Sequence, residues 1–248
     1  MKRENSKAFT LIELLTVIAV IAVLAGILIP AVSKIRLNAA DSRGANNIRQ
    51  VGIAYLLAAQ ENGGVLPSVH GDSSSETWTR MVNAVLVSEE SEDYMDQWSD
   101  TLLDPAALVR GVISESNISK WHFAPLAAIT RGTGSNGSGA APKALRGYNR
   151  LIQHPHPDRQ ILLADAGVDD ADSSTWGDLL HGESFSWSGA WSGNVSESKA
   201  NEVAVTGSNV GGDIRWMDGT AKFFFLDGHV EKLRQEELYQ KNLNPLFQ

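Results

Sequence analysis

Residues 7–33, KAFTLIELLTVIAVIAVLAGILIPAVS, decide the architecture of this chain. They place one carboxylate, Glu13, in a segment that is otherwise apolar. From Leu14 to Val32 the chain runs for 19 residues without a charge. As a helix this run spans about 28 Å, close to the thickness of the hydrocarbon core of a bilayer. A carboxylate in such a helix costs about 2.5–3.5 kcal/mol on insertion scales, so we expect Glu13 to have an electrostatic partner.

The order of residues around this segment differs from that of a secretory signal peptide, in which a cleavage site follows the apolar run. Here the basic residues Lys2, Arg3 and Lys7 come first, the small residue Ala8 follows, and Phe9 opens the apolar run. A plain signal anchor with an accidental carboxylate is the alternative interpretation.

The stretch KAFTLIE, residues 7–13, resembles the prepilin cleavage and methylation signal shared by type IV pilins and the pseudopilins of type II secretion. The resemblance implies that a prepilin peptidase cuts between Ala8 and Phe9 and that the new amine of Phe9 is methylated. It also implies that Phe9 and Glu13 act in filament assembly. Ala8 stands where the family usually has Gly, and it is also small. Pro30 matches a position at which family members often carry a kinking proline.

The helical pattern continues beyond the apolar run. Apolar and small residues recur at helical spacing from Ala31 to Gln60, and glycines and a proline at 63–67 end the pattern. One helix of about 50 residues is the economical interpretation, with a bend at Gly44, and two helices separated there are the alternative. The resulting organisation is a leader at 1–8, a transmembrane and filament-core helix at 9–33, its continuation at 34–62, and a globular domain at 63–248.

Composition fits a globular domain on a membrane anchor. The net charge is −8, and removal of residues 1–8, with three positive charges and one negative, changes it to −10. Such an acidic chain is not expected to have nucleic acid as its primary partner. Cysteine is absent, which excludes disulfides and thiolate metal sites. The 186 residues of 63–248 suffice for one domain.

Three further elements are predicted within the domain. Glu76–Val87 has one apolar face and is expected to be a helix, and Gln160–Asp165 is expected to be a buried strand. Residues 221–226 and 229–233 are expected to form a hairpin, with Asp227 and Gly228 in a type I′ turn. The predicted fold is α+β and pilin-like, with the long N-terminal helix packed on a C-terminal antiparallel sheet.

The C-terminal segment FFFLDGHVEKL, residues 223–233, resembles a motif of a large family of prepilin-like proteins, called H-X9-DG. In that family a histidine stands ten residues before the Asp of the hairpin. Here Met217 occupies that position, so no role of the histidine is carried over, whereas Asp227, Gly228 and His229 are retained. Three other segments resemble the same family: Asn47–Ala54, Gly147–Asn149 and Leu163–Asp165.

Catalytic signatures are missing from the sequence. It contains no G-x-S-x-G, H-E-x-x-H or P-loop motif, so we do not expect an enzyme. We expect no cofactor except a possible Ca²⁺ ion on the acidic loop with Asp169, Asp170 and Asp172, since calcium sites are built from loop oxygens. Major pseudopilins carry a calcium site near their C-terminus. A solvated acidic loop is the alternative.

Three functions are compatible with these features. The first is a pilin or pseudopilin, minor or specialised because of its length, which is anchored once in the bacterial inner membrane with its domain in the periplasm. Its partners would be the prepilin peptidase, other pilin or pseudopilin subunits and the filament assembly machinery. The second is a membrane-anchored periplasmic binding module that uses Trp187 and Trp191 in the loop 184–198. The third is an anchored enzyme.

Overall fold

The computed structural model describes residues 11–67, 78–87, 99–111, 122–125, 150–165, 214–239 and 242. These residues form an α+β structure, as predicted: a long N-terminal helix and an antiparallel sheet from later parts of the chain. The helices are α1 (Leu11–Glu61), α2 (Trp78–Val87) and α3 (Pro105–Val109), and the strands are β1 (Phe123–Pro125), β2 (Ile161–Asp165), β3 (Thr220–Phe225) and β4 (Val230–Arg234). Single turns of 3₁₀ helix lie at Asp100–Leu102, Leu151–Gln153 and Gln235–Glu237.

Helix α1 is unbroken over 51 residues, a length of about 76 Å. The one-helix interpretation is therefore correct and the two-helix alternative is wrong. The helix ends where the sequence predicted, because Gly63 and Gly64 adopt positive φ angles of 66° and 82°. The Gly64 amide donates to the Ala59 carbonyl at 2.8 Å and the Gly63 amide to the Gln60 carbonyl at 3.1 Å. These two bonds satisfy carbonyls that the last helical turn leaves free.

Two glycines allow the rest of the domain to approach the axis of α1 closely. A Cβ atom on Gly52 would overlap with the ring of Phe224 in β3, and a Cβ atom on Gly44 would overlap with the carboxylate of Asp104. Gly44 thus lies inside the continuous helix and is a site of close contact with Asp104. The sequence predicts a bend at this residue and does not predict the contact.

The sheet has four antiparallel strands in the order β1-β2-β3-β4. Strand β2 is the one predicted at 160–165, and β3 and β4 are the predicted hairpin. Phe224 faces α1, whereas Phe223 and Phe225 point to the opposite face, since side chains alternate along a strand. On that opposite face the ring of Trp216 lies 6.1 Å from the ring of Phe223. All three phenylalanines are buried, so both faces of β3 are covered.

Helix α2, predicted at 76–87 and observed at Trp78–Val87, packs on the domain half of α1. Trp78 and Val82 are buried with Tyr55 of α1 in one apolar core that continues to the sheet. The rings of Tyr55 and Trp78 lie 6.1 Å apart, and the Tyr55 hydroxyl donates to the Pro67 carbonyl. This core fixes residues 48–59 of α1 to the domain.

The predicted type I′ turn at Asp227 and Gly228 is wrong. Gly228 has φ 93°, but the φ angle of Asp227 is not positive. The Gly228 amide donates to the Phe225 carbonyl and the Phe225 amide to the His229 carbonyl, both at 3.0 Å. The loop therefore contains three residues, 226–228, and has the pattern of a type I turn followed by a glycine.

A type I′ turn does occur at the preceding Asp-Gly pair. Asp218 and Gly219 have φ angles of 51° and 75°. Met217 and Thr220 flank them and exchange backbone hydrogen bonds of 2.8 and 3.1 Å. This turn leads into β3 and sets the start of the hairpin.

Candidate functional site

The N-terminal half of α1 has its apolar side chains exposed. Leu11 is 84% exposed and Ile27 is 70% exposed. None of the most apolar stretch of this helix is buried inside the structure, and by length and composition the helix is able to cross a membrane. An apolar surface of this extent is unfavourable in water, which is consistent with a segment that lies in a membrane.

Glu13 lies in the first described turn of this exposed half. Its backbone carbonyl accepts a hydrogen bond from the Thr16 hydroxyl at 3.0 Å. Ala8 and Phe9 lie outside the described residues, so cleavage, methylation and their part in assembly stay predictions. Pro30 lies inside α1, and a kink at this residue also stays a prediction.

The Asp-Gly-His segment of the hairpin forms a compact loop. The Asp227 carboxylate accepts a hydrogen bond from the His229 amide at 3.1 Å and lies 2.5 Å from Nδ1 of the same residue. The His229 ring stacks on Phe225 with 4.1 Å between centroids and an angle of 10°. Together with the positive φ angle of Gly228, these contacts explain why this sequence forms the turn. The retained Asp-Gly-His motif therefore has a structural role in the hairpin loop.

Met217, at the position of the family histidine, is buried in a small apolar cluster. Its neighbours there are Ala40 of α1 and Ala106 and Ala107 of α3. The side chain thus fills the space where α3 meets α1. An unpaired imidazole at this point would lose hydrogen bonds to water, which agrees with the apolar residue found here.

A network of four buried charged side chains joins α3, β2 and β3. Oδ2 of Asp104 lies 2.9 Å from Nη2 of Arg215 and 2.9 Å from Nζ of Lys222. The carboxylate of Asp165 lies 3.1 Å from Nζ of Lys222 and 3.5 Å from Nη2 of Arg215, and it accepts the Lys222 backbone amide at 2.9 Å. Each of the four side chains is at most 4% exposed. Two carboxylates thus neutralise two cations.

The network reaches the surface at Asp41 of α1. Its carboxylate lies 2.6 Å from Nζ of Lys232 in β4 and 3.8 Å from Nζ of Lys222. Because Lys222 and Lys232 are direct partners across the two strands, their like charges need a shared anion. Asp41 supplies it and so links α1 to the hairpin.

Burial and charge act in opposite directions on the acidity of these groups. Burial by itself would lower the pKa of Lys222, but the carboxylates of Asp165 and Asp104 outweigh it and raise the pKa above its ordinary value. Burial would raise the pKa of Asp41, but the hydrogen bond and charge of Lys232 hold it below the ordinary value. Burial raises the pKa of Asp165 above its ordinary value, although the charges of Lys222 and Arg215 act to lower it.

The four buried side chains of the network are shielded from solvent. Its four charged groups face one another and solvent does not reach them, so it is suited to holding α3 and the sheet in place rather than to binding a substrate. Sequence reasoning did not find it. Asp165 lay within a stretch singled out for its family resemblance and Lys222 within the predicted hairpin, but nothing local marks either residue as a partner of Asp104 or Arg215.

Several predicted site residues lie outside the described residues. These are Asp169, Asp170 and Asp172 of the proposed calcium loop, and Trp187 and Trp191 of the proposed binding loop. Within the described ranges, no group of three or more His, Asp or Glu side chains could hold a metal ion.

The long helix fixed by its second half to an antiparallel sheet is an α+β, pilin-like arrangement. Its exposed apolar half, with Glu13 in the first described turn, is consistent with anchoring in a membrane. A family model described as "Prokaryotic N-terminal methylation motif" matches residues 3–29. The matched stretch includes Ala8, Phe9 and Glu13 and supports a type IV pilin-like protein, which implies processing by a prepilin peptidase and assembly with other pilin subunits. No match was found among curated proteins or among solved structures.

Proposed function

We propose that this chain is a minor or specialised structural subunit of a type IV pilus or of a type II secretion-like filament. The observation that carries the proposal is the exposed apolar half of α1, with Glu13 in its first described turn, within the stretch that matches the methylation motif. The helix anchors the precursor in the inner membrane, with the domain in the periplasm, and later becomes part of the filament core.

Glu13 provides the assembly contact in this proposal. Cleavage before Phe9 creates a charged amine four residues ahead of Glu13. In a bundle of such helices, the carboxylate of one subunit can pair with the amine of its neighbour, which compensates two charges away from water and fixes the axial register of the two helices. The gain is specificity of assembly, because a buried ion pair roughly balances its own desolvation, whereas a broken one costs about 3–5 kcal/mol.

The second half of α1 supports the proposal by its firm attachment to the domain. Asn47 donates from Nδ2 to the Leu103 carbonyl at 2.8 Å, and Gly44 and Gly52 pack against Asp104 and Phe224. A subunit that assembles through its helix needs such an attachment, because the helix then determines where the domain is placed.

The proposal is tested by the substitution Glu13→Val, with Thr16→Val as the matched control in the same exposed stretch. Parent and variants are co-expressed with the assembly machinery of the host, and sheared or cross-linked filament fractions are compared. We expect Glu13→Val to insert in the membrane but to be nearly absent from filaments, and Thr16→Val to be incorporated normally. Incorporation of Glu13→Val at the level of the parent and of Thr16→Val would exclude an assembly role of Glu13 and favour the anchored binding module.

A further inference from the structure

His122 is a buried histidine that the proposed assembly does not use. Its ring nitrogen Nδ1 accepts a hydrogen bond from the backbone amide of Asp104 at 2.8 Å. Its own backbone amide donates to the Leu102 carbonyl at 2.7 Å. A ring nitrogen that accepts a hydrogen bond carries no proton, so the imidazole is neutral, with its hydrogen on Nε2. His122 therefore holds residues 102–104 from two sides.

Asp104 is the residue through which this loop holds α1. One oxygen of its carboxylate binds Arg215 and Lys222. The other accepts the Ala106 amide at 3.1 Å, which starts α3, and is the atom that packs against Gly44 of α1. Movement of Asp104 would thus disturb the charge network, α3 and the helix contact together.

We propose that His122 makes the attachment of α3 to α1 sensitive to acid, because a proton taken up from solvent by Nδ1 breaks its hydrogen bond with Asp104 and releases the loop. Protonation would set one N–H against another at 2.8 Å. It would also add a third cation to a network in which Arg215 and Lys222 are already balanced by the two carboxylates. Among the described residues, Asp165 of β2 and Asp41 of α1 are further charged groups around the site. Asp41 is itself paired with Lys232 of β4, and Arg110 at the end of α3 also acts on it.

The electrostatics of the site support this proposal. Burial and the charge of Arg215 lower the pKa of His122 from 6.5 to about 4, although Asp104 acts in the opposite direction. The unfolded chain therefore binds a proton at a higher pH than the folded one. This penalty on the stability of the folded state vanishes well above pH 6.5, grows as the pH falls through 6.5 and is complete only below about pH 4. Between pH 6.5 and 4.5 it raises the unfolding equilibrium constant roughly 40-fold.

The first test measures unfolding of the full-length protein in detergent micelles, by urea titration with tryptophan fluorescence, at several pH values from 7.5 to 4.5. His122→Asn supplies an acceptor oxygen for the Asp104 amide but cannot be protonated. We expect it to remove most of the 40-fold effect, and we expect His229→Asn, a change of a half-buried histidine outside the network, to keep it. Because Asp41, Asp104 and Asp165 are common to all three proteins, the titration of these network carboxylates largely cancels in the comparison. An unchanged pH dependence in His122→Asn would overturn the proposal.

A second measurement uses the parent protein alone and so does not depend on whether the variant folds. Deuterium exchange at the imidazole C2 position, read by mass spectrometry, reports protonation of each histidine. We expect His122 to take up its proton well below the ordinary histidine pKa of 6.5. We also expect amide exchange of residues 104–109, corrected for its intrinsic pH dependence, to accelerate over the same range. Ordinary titration of His122, or protonation without faster amide exchange, would overturn the proposal.

Discussion

The ammonium group of Lys222 lies 2.9 Å from Oδ2 of Asp104, a residue 118 positions away along the chain, and both side chains are buried. Neither charge can be hydrated at this position, so each depends on the other for stabilisation. The pair joins the start of α3 to the first strand of the hairpin, β3, and through Gly44 it touches α1. Its loss would therefore affect three parts of the fold at once.

The substitution Asp104→Asn should strongly destabilise the domain, because it leaves Arg215 and Lys222 with Asp165 as the one fully buried carboxylate between them. We expect a loss of about 3–5 kcal/mol in the free energy of unfolding, measured by urea titration of the full-length protein in detergent. Asp158→Asn, at a carboxylate that is 61% exposed, should change stability by less than about 0.5 kcal/mol.

The double variant Asp104→Asn with Lys222→Met extends this prediction. It removes one charge of each sign and leaves Asp165 paired with Arg215. The cost should be smaller than the sum of the two single changes, because the pair acts as a unit. Simple additivity would show that the two residues contribute independently.

Gly52→Ala should destabilise the domain by about 1–3 kcal/mol, since the added methyl group must displace the ring of Phe224 in a packed core. Gly26→Ala is the matched control within the same helix, because no atom lies within 4 Å of the position its Cβ would take. The midpoint temperature of thermal unfolding of the domain should be lowered by Gly52→Ala and not by Gly26→Ala. Adding Phe224→Leu to Gly52→Ala should restore part of the loss, and its failure to do so would exclude the steric explanation.

Gly228→Val should destabilise the hairpin through its backbone alone. The residue has φ 93° and its Cβ would meet no atom within 4 Å, so the cost comes from forcing a β-branched residue to a positive φ angle. We expect a loss on the order of 1–3 kcal/mol in urea unfolding. Gly228→Asn should cost less, because Asn tolerates this conformation. Equal melting of the Val variant and the parent would mean that this loop adapts without strain.

Processing should yield a mature chain that begins at Phe9 with a methylated amine. Intact-mass measurement of protein purified from the native host checks this directly. Ala8→Leu should block the cut, because a bulky side chain then stands at the bond to be cleaved. Asn5→Leu, which places the same side chain away from that bond, should be processed normally. A mature parent chain that retains residues 1–8 would reject the prepilin interpretation.

The elements that the sequence predicted are those with a local pattern. Apolar spacing and a Gly-Gly stop predicted α1 as one helix, and an Asp-Gly pair between two candidate strands predicted the hairpin. The charge network could not be predicted in this way. Asp104, Asp165 and Lys222 are brought together only by the packing of α3 and the sheet, and each one alone resembles an ordinary surface residue.

The error in the turn has a specific cause. A two-residue loop at Asp227 and Gly228 would pair Phe224 with Glu231, whereas the observed register pairs Phe224 with Val230. The observed register also sets Lys232 opposite Lys222, where Asp41 of α1 lies near both. The contact with α1 thus agrees with a loop of three residues, and a dipeptide rule that considers only the turn itself cannot include that contact.

Because α1 is continuous, it also fixes the rotation of the domain about the helix axis relative to Glu13. Each residue of an α-helix turns the chain by about 100° and advances it by 1.5 Å. A single residue inserted between Glu13 and Gly44 would therefore rotate the whole domain by about 100° relative to the carboxylate, whereas seven inserted residues would nearly restore the original phase and shift the domain by about 10.5 Å. In the proposed filament, the number of residues in this stretch would thus set the direction in which each subunit presents its domain around the filament axis.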